Sequence, residues 1–587
     1  MYGAFGLGLV LVHRVSGVVN FAQGAMAMLV TYAFVELRPR VGLWASLAMS
    51  VALAAVLGLV VFGVVFRPLR RAPALAKVVA SVGLLAVLQA VAVLWFGTDS
   101  RPVPGLLPSS PVSVLGVDVP RDRLLLAVVV VLAAAGLWAL SRFTRFGLAS
   151  RAMAEDETAV ALLGWSPDAL AAANWVLAAV LAGLGGILVG PLTALNPVTT
   201  TLLIVPALAA ALVGRLTSFG ATVAAALALG MSQSLILKLQ DQFTWIPRYG
   251  IREALPLVVI LAALAFGAGA GLGRGAAVQD PLPLAGRARR PLRWAAAGVA
   301  AGLAGLLLLH GQARLGLVNS MVGAVICLSI VVLTGYVGQI SLAQMAFAGV
   351  AGFSLAKLAG GLGIPFPVAP LLAALLATAV GVAVGLPALR LRGQSLAVVT
   401  LAAAIAVEEV VFKSPLLTGG FEGTVVPELA AGRAGSRWFG VVALAVVTAV
   451  ALGVAALRRG PPGRRFLAVR ANERAAAACG IDLTATKLAA FALSAFVAGV
   501  GGTLLGYGQG RLSFASFGVF VSLAYLAVTY LGGIAGISGA LVGGLLVPGG
   551  LVFSLAGGRF QLLASGLGLI AVAILRPQGI VGSRQPS

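Results

Sequence analysis

The chain has 587 residues, is 60% hydrophobic and 10% charged, and has a mean hydropathy of +1.07, which excludes a soluble fold with a polar face. Its formal charge of +23 does not describe a nucleic-acid surface, because the arginines are scattered through short connections between apolar runs instead of being gathered on one face. Apolar runs of about 17 to 25 residues recur from end to end, the length a helix needs to cross a bilayer while satisfying its own backbone; an outer-membrane barrel would show shorter alternating segments.

Spans are predicted near residues 1–13, 17–36, 42–66, 78–96, 124–141, 169–190, 200–214, 219–237 and 253–272. Ten more are predicted near 294–310, 316–334, 337–359, 368–388, 395–412, 438–457, 486–507, 517–531, 539–556 and 561–575. No basic leader precedes the first run, so no cleavable signal is expected, although MYGAFGLGLVLVHR is short for a full crossing. Placing RPLRRAPALAK (67–77) in the cytoplasm puts SRFTRFGLASR (141–151), GRARRPLR (286–293), LRLRG (389–393), LRRGPPGRRFLAVR (457–470) and the tail after LRPQG on the same side by parity, as the positive-inside rule requires. The loops at 97–123 and 413–437 then fall outside.

Residues 267–293 are rich in Gly, Pro and Arg with no apolar period, and 273–293 read as a cytoplasmic linker between domains at 1–272 and 294–587. The two domains repeat each other. At an offset of 321, Gly17, Ala22 and Gln23 fall on Gly338, Ala343 and Gln344, and Asn20 falls on Ser341. At an offset of 316, GLASRAMAEDETAVALLG (147–164) falls on GRRFLAVRANERAAAACG (463–480), and LAGLGGILVG (181–190) falls on VAGVGGTLLG (497–506). Ten spans separate equivalent positions, an even number, so the expected fold is an all-α polytopic membrane protein of about nineteen helices in two parallel homologous halves of nine and ten.

Two features could carry function. The predicted cytoplasmic loops at 142–168 and 458–485 each run as one short polar helix stopped by Gly164 or Gly480. A charged face presented once per half, by Arg151, Glu155, Asp156 and Glu157 in one loop and Arg470, Asn472 and Glu473 in the other, suits docking to a soluble partner; the alternative is an amphipathic helix lying on lipid. The second feature is Asn20, Gln23, Gln339, Ser341 and Gln344, polar residues inside apolar runs. They either bond helix to helix, contributing about 0.6 kcal/mol each, or face a polar pathway or interface where amides meet a zwitterionic solute.

Other chemistries lack their residues. The sequence contains no Gly-Lys dipeptide and hence no GxxxxGK[ST] phosphate loop, and its two histidines, His13 and His310, lie outside any HExxH spacing, so both read as interfacial or packing residues. Cys327 and Cys479 are also expected to be packing residues, since two distant cysteines form no metal or disulfide pattern. An ion-coupled carrier would show acidic or basic residues in mid-span, and a membrane enzyme would need an acid, base or metal constellation; few of the former and none of the latter stand out. The small residues of LAGLGGILVG and VAGVGGTLLG predict close helix packing.

RFGLASRAMAEDETAVALLG resembles the cytoplasmic loop of H-type permeases of branched-chain amino acid ABC importers, as do VVNFAQGAM, RPLRRAPALAKVVASVGLLAVLQ and the turn GRLTSFGA (214–221). RRFLAVRANERAAAACGIDLTATKLAAFALSAFVAGVGGTLLG, GYVGQISLAQMAFAGVAGF, LRLRGQSLAVVTLA, TGGFEG and LRPQGIVG resemble the M-type permease. The resemblance covers nearly the whole chain and implies an H and an M permease fused in one polypeptide of a bacterial-type cytoplasmic membrane, working by alternating access. It also implies two separate ATPase subunits that hold ATP and magnesium, an extracytoplasmic binding protein, and a substrate among branched-chain amino acids, urea, short amides or other small acids. The chain departs from the pattern in four places: the opening helix lacks its first turns, leaving open whether Met1 is the native start; Arg215 stands where a second glycine is expected; the H-like half ends in GAGAGLGRG where RPxG is expected; and Glu408 and Glu409 lie about a helical turn after the expected acidic residue, so no role is carried onto them.

Overall fold

Apolar backbone deprived of water can satisfy its N–H and C=O groups only internally, and the chain accordingly folds almost entirely as helices. The computed structural model describes residues 1–587 except 18, 71, 104, 107, 109, 115, 116, 244–249, 266–290, 390–392, 421, 557–560, 577, 578 and 582–587. Most of the predicted linker therefore lies outside the described residues. Two compact units are resolved, Met1–Ile246 with Leu255–Val278, and Pro247–Ala254 with Gln279–Ser587.

The first part of the chain forms α1 (Tyr2–Ser16), α2 (Gln23–Val41), α3 (Leu43–Val61), α4 (Ala74–Phe96), α5 (Arg121–Phe143), α6 (Arg145–Glu155), α7 (Glu157–Leu162), α8 (Pro167–Thr193), α9 (Pro197–Leu202), α10 (Ile204–Val213), α11 (Phe219–Gln242) and α12 (Ile251–Ala265). An antiparallel hairpin of β1 (Pro111–Val114) and β2 (Val117–Pro120) occupies the loop before α5. The second part forms α13 (Pro291–Leu308), α14 (Gly311–Ile330), α15 (Gln344–Leu355), α16 (Val368–Ala388), α17 (Gly393–Val407), α18 (Pro415–Thr418) and α19 (Arg437–Arg459). It continues through α20 (Pro461–Ala471), α21 (Glu473–Ala478), α22 (Leu483–Gln509), α23 (Val519–Gly532), α24 (Ile537–Leu545), α25 (Leu551–Ala556) and α26 (Gln561–Leu575), with a two-residue ladder between β3 (Thr424–Val425) and β4 (Arg511–Leu512).

Among the described residues, eleven helices are long and apolar enough to cross a membrane. Some of the predicted spans are apolar throughout yet not helical throughout. The predicted span 200–214 divides at Leu203 into α9 and α10, and 539–556 divides between α24 and α25. The predicted spans at 17 and 337 become helical only at Gln23 and Gln344.

In each unit one long helix is the packing axis. Helices α1, α2 and α3 pack on α8, and α14, α15 and α16 pack on α22. The predicted glycine stripes face these contacts: a Cβ on Gly186 would strike Thr31 Oγ1 and crowd the Ala27 carbonyl, and one on Gly502 would overlap the Ala348 carbonyl. Backbone thus meets backbone where a side chain would hold the helices apart.

The turn after α10 carries strain that the sequence foreshadows. Arg215 and Leu216 both have φ of 54°, in the left-handed region where a Cβ is penalised. Arg215 is exposed, so it gains little packing in return. Arg215→Gly is expected to raise unfolding stability by about 1 kcal/mol, the relief of strain exceeding the added freedom of the unfolded chain. Denaturation of the purified protein in detergent checks this, and an unchanged or lower stability would show that the turn is not strained.

Candidate functional site

The buried breaks before α2 and α15 explain the polar residues. Between Val19 and Ala22 the backbone is not helical, and Asn20 Oδ1 accepts the Ala22 N–H at 3.0 Å. In the second unit Ser341 Oγ accepts the Ala343 N–H at 3.3 Å, the same service at the repeated position. Gln23 Nε2 donates to the Ala178 carbonyl on α8 at 2.9 Å, and Gln344 Nε2 donates to Ser494 Oγ on α22 at 3.2 Å. Ala178 and Ser494 are themselves equivalent at the offset of 316.

The second break has more partners. Thr400 Oγ1 accepts the Leu342 N–H at 3.0 Å, Ser522 Oγ donates to the Leu342 carbonyl at 2.7 Å, and Thr334 Oγ1 donates to the Gln339 carbonyl at 3.0 Å. Asn20, Gln23, Ser341 and Gln344 are at most 1% exposed; the bonds quoted for Gln23 and Gln344 join helices, and those of Asn20 and Ser341 stay within their own breaks. Gln339 differs: its Oε1 is buried with no hydrogen-bond partner among the described residues.

The two loops are built alike, and differently from expectation. Each holds two helices, not one. Asp156 ends α6 and caps α7, accepting from the N–H groups of Thr158 and Ala159 at 2.8 and 3.1 Å. Asn472 ends α20 and caps α21, accepting from Arg474 and Ala475 at 2.9 and 3.1 Å. A short acceptor side chain in extended conformation satisfies the first orphan donors of a helix and fixes its start. Gly164 and Gly480 then stop the second helix with φ of 85° and 78°. Trp165 N–H bonds the Val160 carbonyl and Ile481 N–H bonds the Ala476 carbonyl, at 3.3 and 3.1 Å, the six-residue closure of a Schellman motif. Ser166 and Asp482 cap the helices that follow, accepting from Ala169 and Ala485. The matched caps at 156 and 472 and at 166 and 482 were legible in the sequence at the same offset but are not part of the pattern read there.

Asp156, Glu157 and Asn472 are exposed, and some of the loop charges also make ion pairs within their own unit. Glu157 pairs with Arg70, which also binds Asp168 at 2.5 Å, and Arg67 reaches Asp168 at 3.1 Å. Glu473 is buried and pairs with Lys487 at 2.9 Å, the two side chains 7% and 4% exposed. These carboxylates fasten the loop helices to their own unit. Arg470 turns inward, its guanidinium donating to the Gly335 carbonyl, and burial together with the nearby Arg458 charge brings its pKa down to about 10. Arg151 and Glu155 remain exposed.

Beside these charges the first loop also exposes large apolar side chains. Leu162, Leu163 and Trp165 are 84%, 77% and 41% exposed. At the equivalent positions of the second unit stand Ala478, Cys479 and Ile481. Cys479 is exposed just past the end of α21 and is not the packing residue expected, whereas Cys327 is buried in α14. His13 is half-buried in the last turn of α1, and His310 is exposed just ahead of α14. Glu408 is buried and accepts the Val519 N–H at 3.1 Å at the start of α23, and Glu409 pairs with Lys413 at 2.5 Å. Both acids therefore have structural partners.

Two repeated units, each with a polar break and a two-helix loop, match one family twice. The family model described as branched-chain amino acid transport system / permease component matches residues 1–273 and again residues 312–572. The chain belongs to this family. It carries two such permease domains in tandem, as a fused, multi-pass membrane protein. The permease is 29% identical over 294 residues to the high-affinity branched-chain amino acid transport system permease protein LivM of Salmonella typhimurium, covering 46% of this chain and 69% of that protein. It is 25% identical over 249 residues to the LivH protein of the same description from Escherichia coli, covering 40% and 81%. With the probable branched-chain amino acid transport permease protein LivH of Methanocaldococcus jannaschii it shares 28% over 271 residues, covering 44% and 84%.

The buried pair in the permease's second loop gives a direct test. Glu473→Gln leaves the Lys487 ammonium buried without its carboxylate, at an expected cost of about 3–5 kcal/mol. The loss is expected as faster hydrogen exchange across α21 and a lower thermal midpoint in detergent, both largely restored by the double variant E473Q/K487M. A single variant as protected as the parent would show that other contacts hold α21.

Proposed function

We propose that this permease is the membrane-spanning subunit of an ATP-driven importer of branched-chain amino acids. The substrate class follows the printed names of the relatives. The loop helices α7 and α21 serve as docking elements for two separate ATPase subunits, which hold ATP and magnesium, and an extracytoplasmic binding protein delivers the solute. The linker and the C-terminus lie on the cytoplasmic side, as the arginine distribution suggests.

The observation that carries this reading is the repetition of one loop design in both domains. A helix capped by Asp156 or Asn472, stopped by Gly164 or Gly480 and ion-paired to its own unit is a short rigid lever with one face outward. Force applied to that face passes through the ion pairs into α8 and α22, the packing axes of the two units. ATP-driven approach of the partners would thereby bias the halves between outward-open and inward-open arrangements, since a ligand shifts such an equilibrium only through contacts that differ between the states. Separate ATPases fit the absence of a phosphate loop in the sequence. Among the described residues the buried carboxylates are Glu408 and Glu473, and their structural partners leave an ion-coupled mechanism without support.

Leu162 and Leu163 are the residues to change, because their exposure makes them dispensable for folding. L162E/L163E is expected to keep the parent thermal midpoint while losing at least about tenfold in affinity for the ATPase subunits, the effect of burying unpaired charge in an apolar interface. Copurification with the ATPases, and substrate-stimulated ATP hydrolysis in liposomes containing the binding protein, measure it. Full hydrolysis by the double variant would remove α7 from the docking role, and parent protein showing no substrate-dependent hydrolysis would overturn the importer reading.

A further inference from the structure

The second unit contains a cavity of about 890 Å³ between α13, α14, α19 and α24. Helix α13 packs on α19 and touches α14, while α24 packs on α14, so the space is a slot over the face of α14. Its walls are almost all small or apolar, including Gly298, Ala301, Leu317 and Leu541. Trp294 and Leu541 both line the slot and are 74% and 42% exposed, so it opens sideways onto the apolar surface of the span. Water in such a slot would find few of the two to four polar partners it needs, and hydrocarbon fits the walls.

One end has a different chemistry. Arg458 and Arg459, in the last turn of α19, line the slot together with Tyr336 and Ser538, and no Asp or Glu is among its described lining residues. This end is the one that the arginine distribution assigns to the cytoplasm. The slot is thus apolar along its length with two guanidinium groups at the level of the inner headgroups. Positive charge accumulates further because Arg470 lies close enough to feel Arg458. Basic pockets between transmembrane helices on the cytoplasmic side suit anionic headgroups, each arginine adding to the attraction, and guanidinium matches phosphate through paired donors.

We propose that this slot is a binding site for an anionic phospholipid of the inner leaflet, its acyl chains lying between α13 and α24 and its phosphate held by Arg458 and Arg459. The site is independent of the transport reading, since it lies within one unit and none of its lining residues belongs to α21. It also gives a role to α13, the span that has no counterpart in the first repeat. Lipid between α13 and α24 completes the wall that these two helices leave open.

The test uses the full-length protein in nanodiscs of equal phosphatidylglycerol and phosphatidylethanolamine, transferred to detergent, with retained lipid identified by native mass spectrometry. The parent is expected to retain phospholipid with roughly tenfold preference for phosphatidylglycerol. A Cβ at Gly298 would meet nothing within 4 Å, so Gly298→Phe fills the slot without striking the backbone and is expected to lose retained lipid of both kinds. R458Q/R459Q leaves the slot open and is expected to retain lipid without the preference. Absence of retained lipid from the parent, equal retention by the parent and G298F, or an undiminished preference in R458Q/R459Q would each overturn the proposal. Thermal midpoints without added lipid identify any variant that has merely unfolded.

Discussion

Each unit depends on backbone that is buried but not helical. A membrane interior offers no water, so every N–H and C=O released by a break in a helix must find a protein partner or cost several kcal/mol. Asn20 supplies it in one unit, and Ser341, Thr334, Thr400 and Ser522 supply it in the other. The breaks let the chain turn in the interior and enter α2 and α15 beside the packing axes, where Gln23 and Gln344 bond α8 and α22. The close approach needed for these bonds rests on Gly186 and Gly502. Polar residue, break and glycine form one device, present twice.

The loops extend the same logic to the water interface. There solvent could satisfy the helix ends, yet Asp156, Ser166, Asn472 and Asp482 do so with side chains. Capping a six-residue helix at its start and closing its end with a left-handed glycine holds in shape a segment too short to be stable alone. Ion pairs tie Glu157 and Glu473 to their own units, and in the first loop Leu162 and Leu163 are left outside.

The sequence announced the repeat, the membrane class and the glycine contacts because these depend on residue type at fixed spacing. Its two offsets, 321 for the breaks and 316 for the loops, come together in the structure where Gln23 meets Ala178 and Gln344 meets Ser494, and where Gly186 meets Ala27 and Gly502 meets Ala348. Helix breaks were less legible: a run that is apolar all round has no amphipathic period to lose, so within 200–214 the mark of the division at Leu203 is Pro206, which has no N–H to bond the Leu202 carbonyl. Burial of Glu473 was illegible for another reason: it looks like a surface residue until Lys487, from elsewhere in the chain, is brought against it. Arg215 was legible as an oddity, and its left-handed backbone supplies the physical reason.

The two loops also differ in how firmly the surrounding electrolyte lets them be held. In the first, Arg70 and its partners Glu157 and Asp168 are 32%, 49% and 36% exposed, so dissolved ions can compete for them within a Debye length of about 8 Å at physiological strength. In the second, Glu473 and Lys487 are 7% and 4% exposed and largely beyond that competition. Rising ionic strength therefore loosens one lever and leaves the other stiff, so that a chain built from two copies of one plan responds to its medium with only one of them.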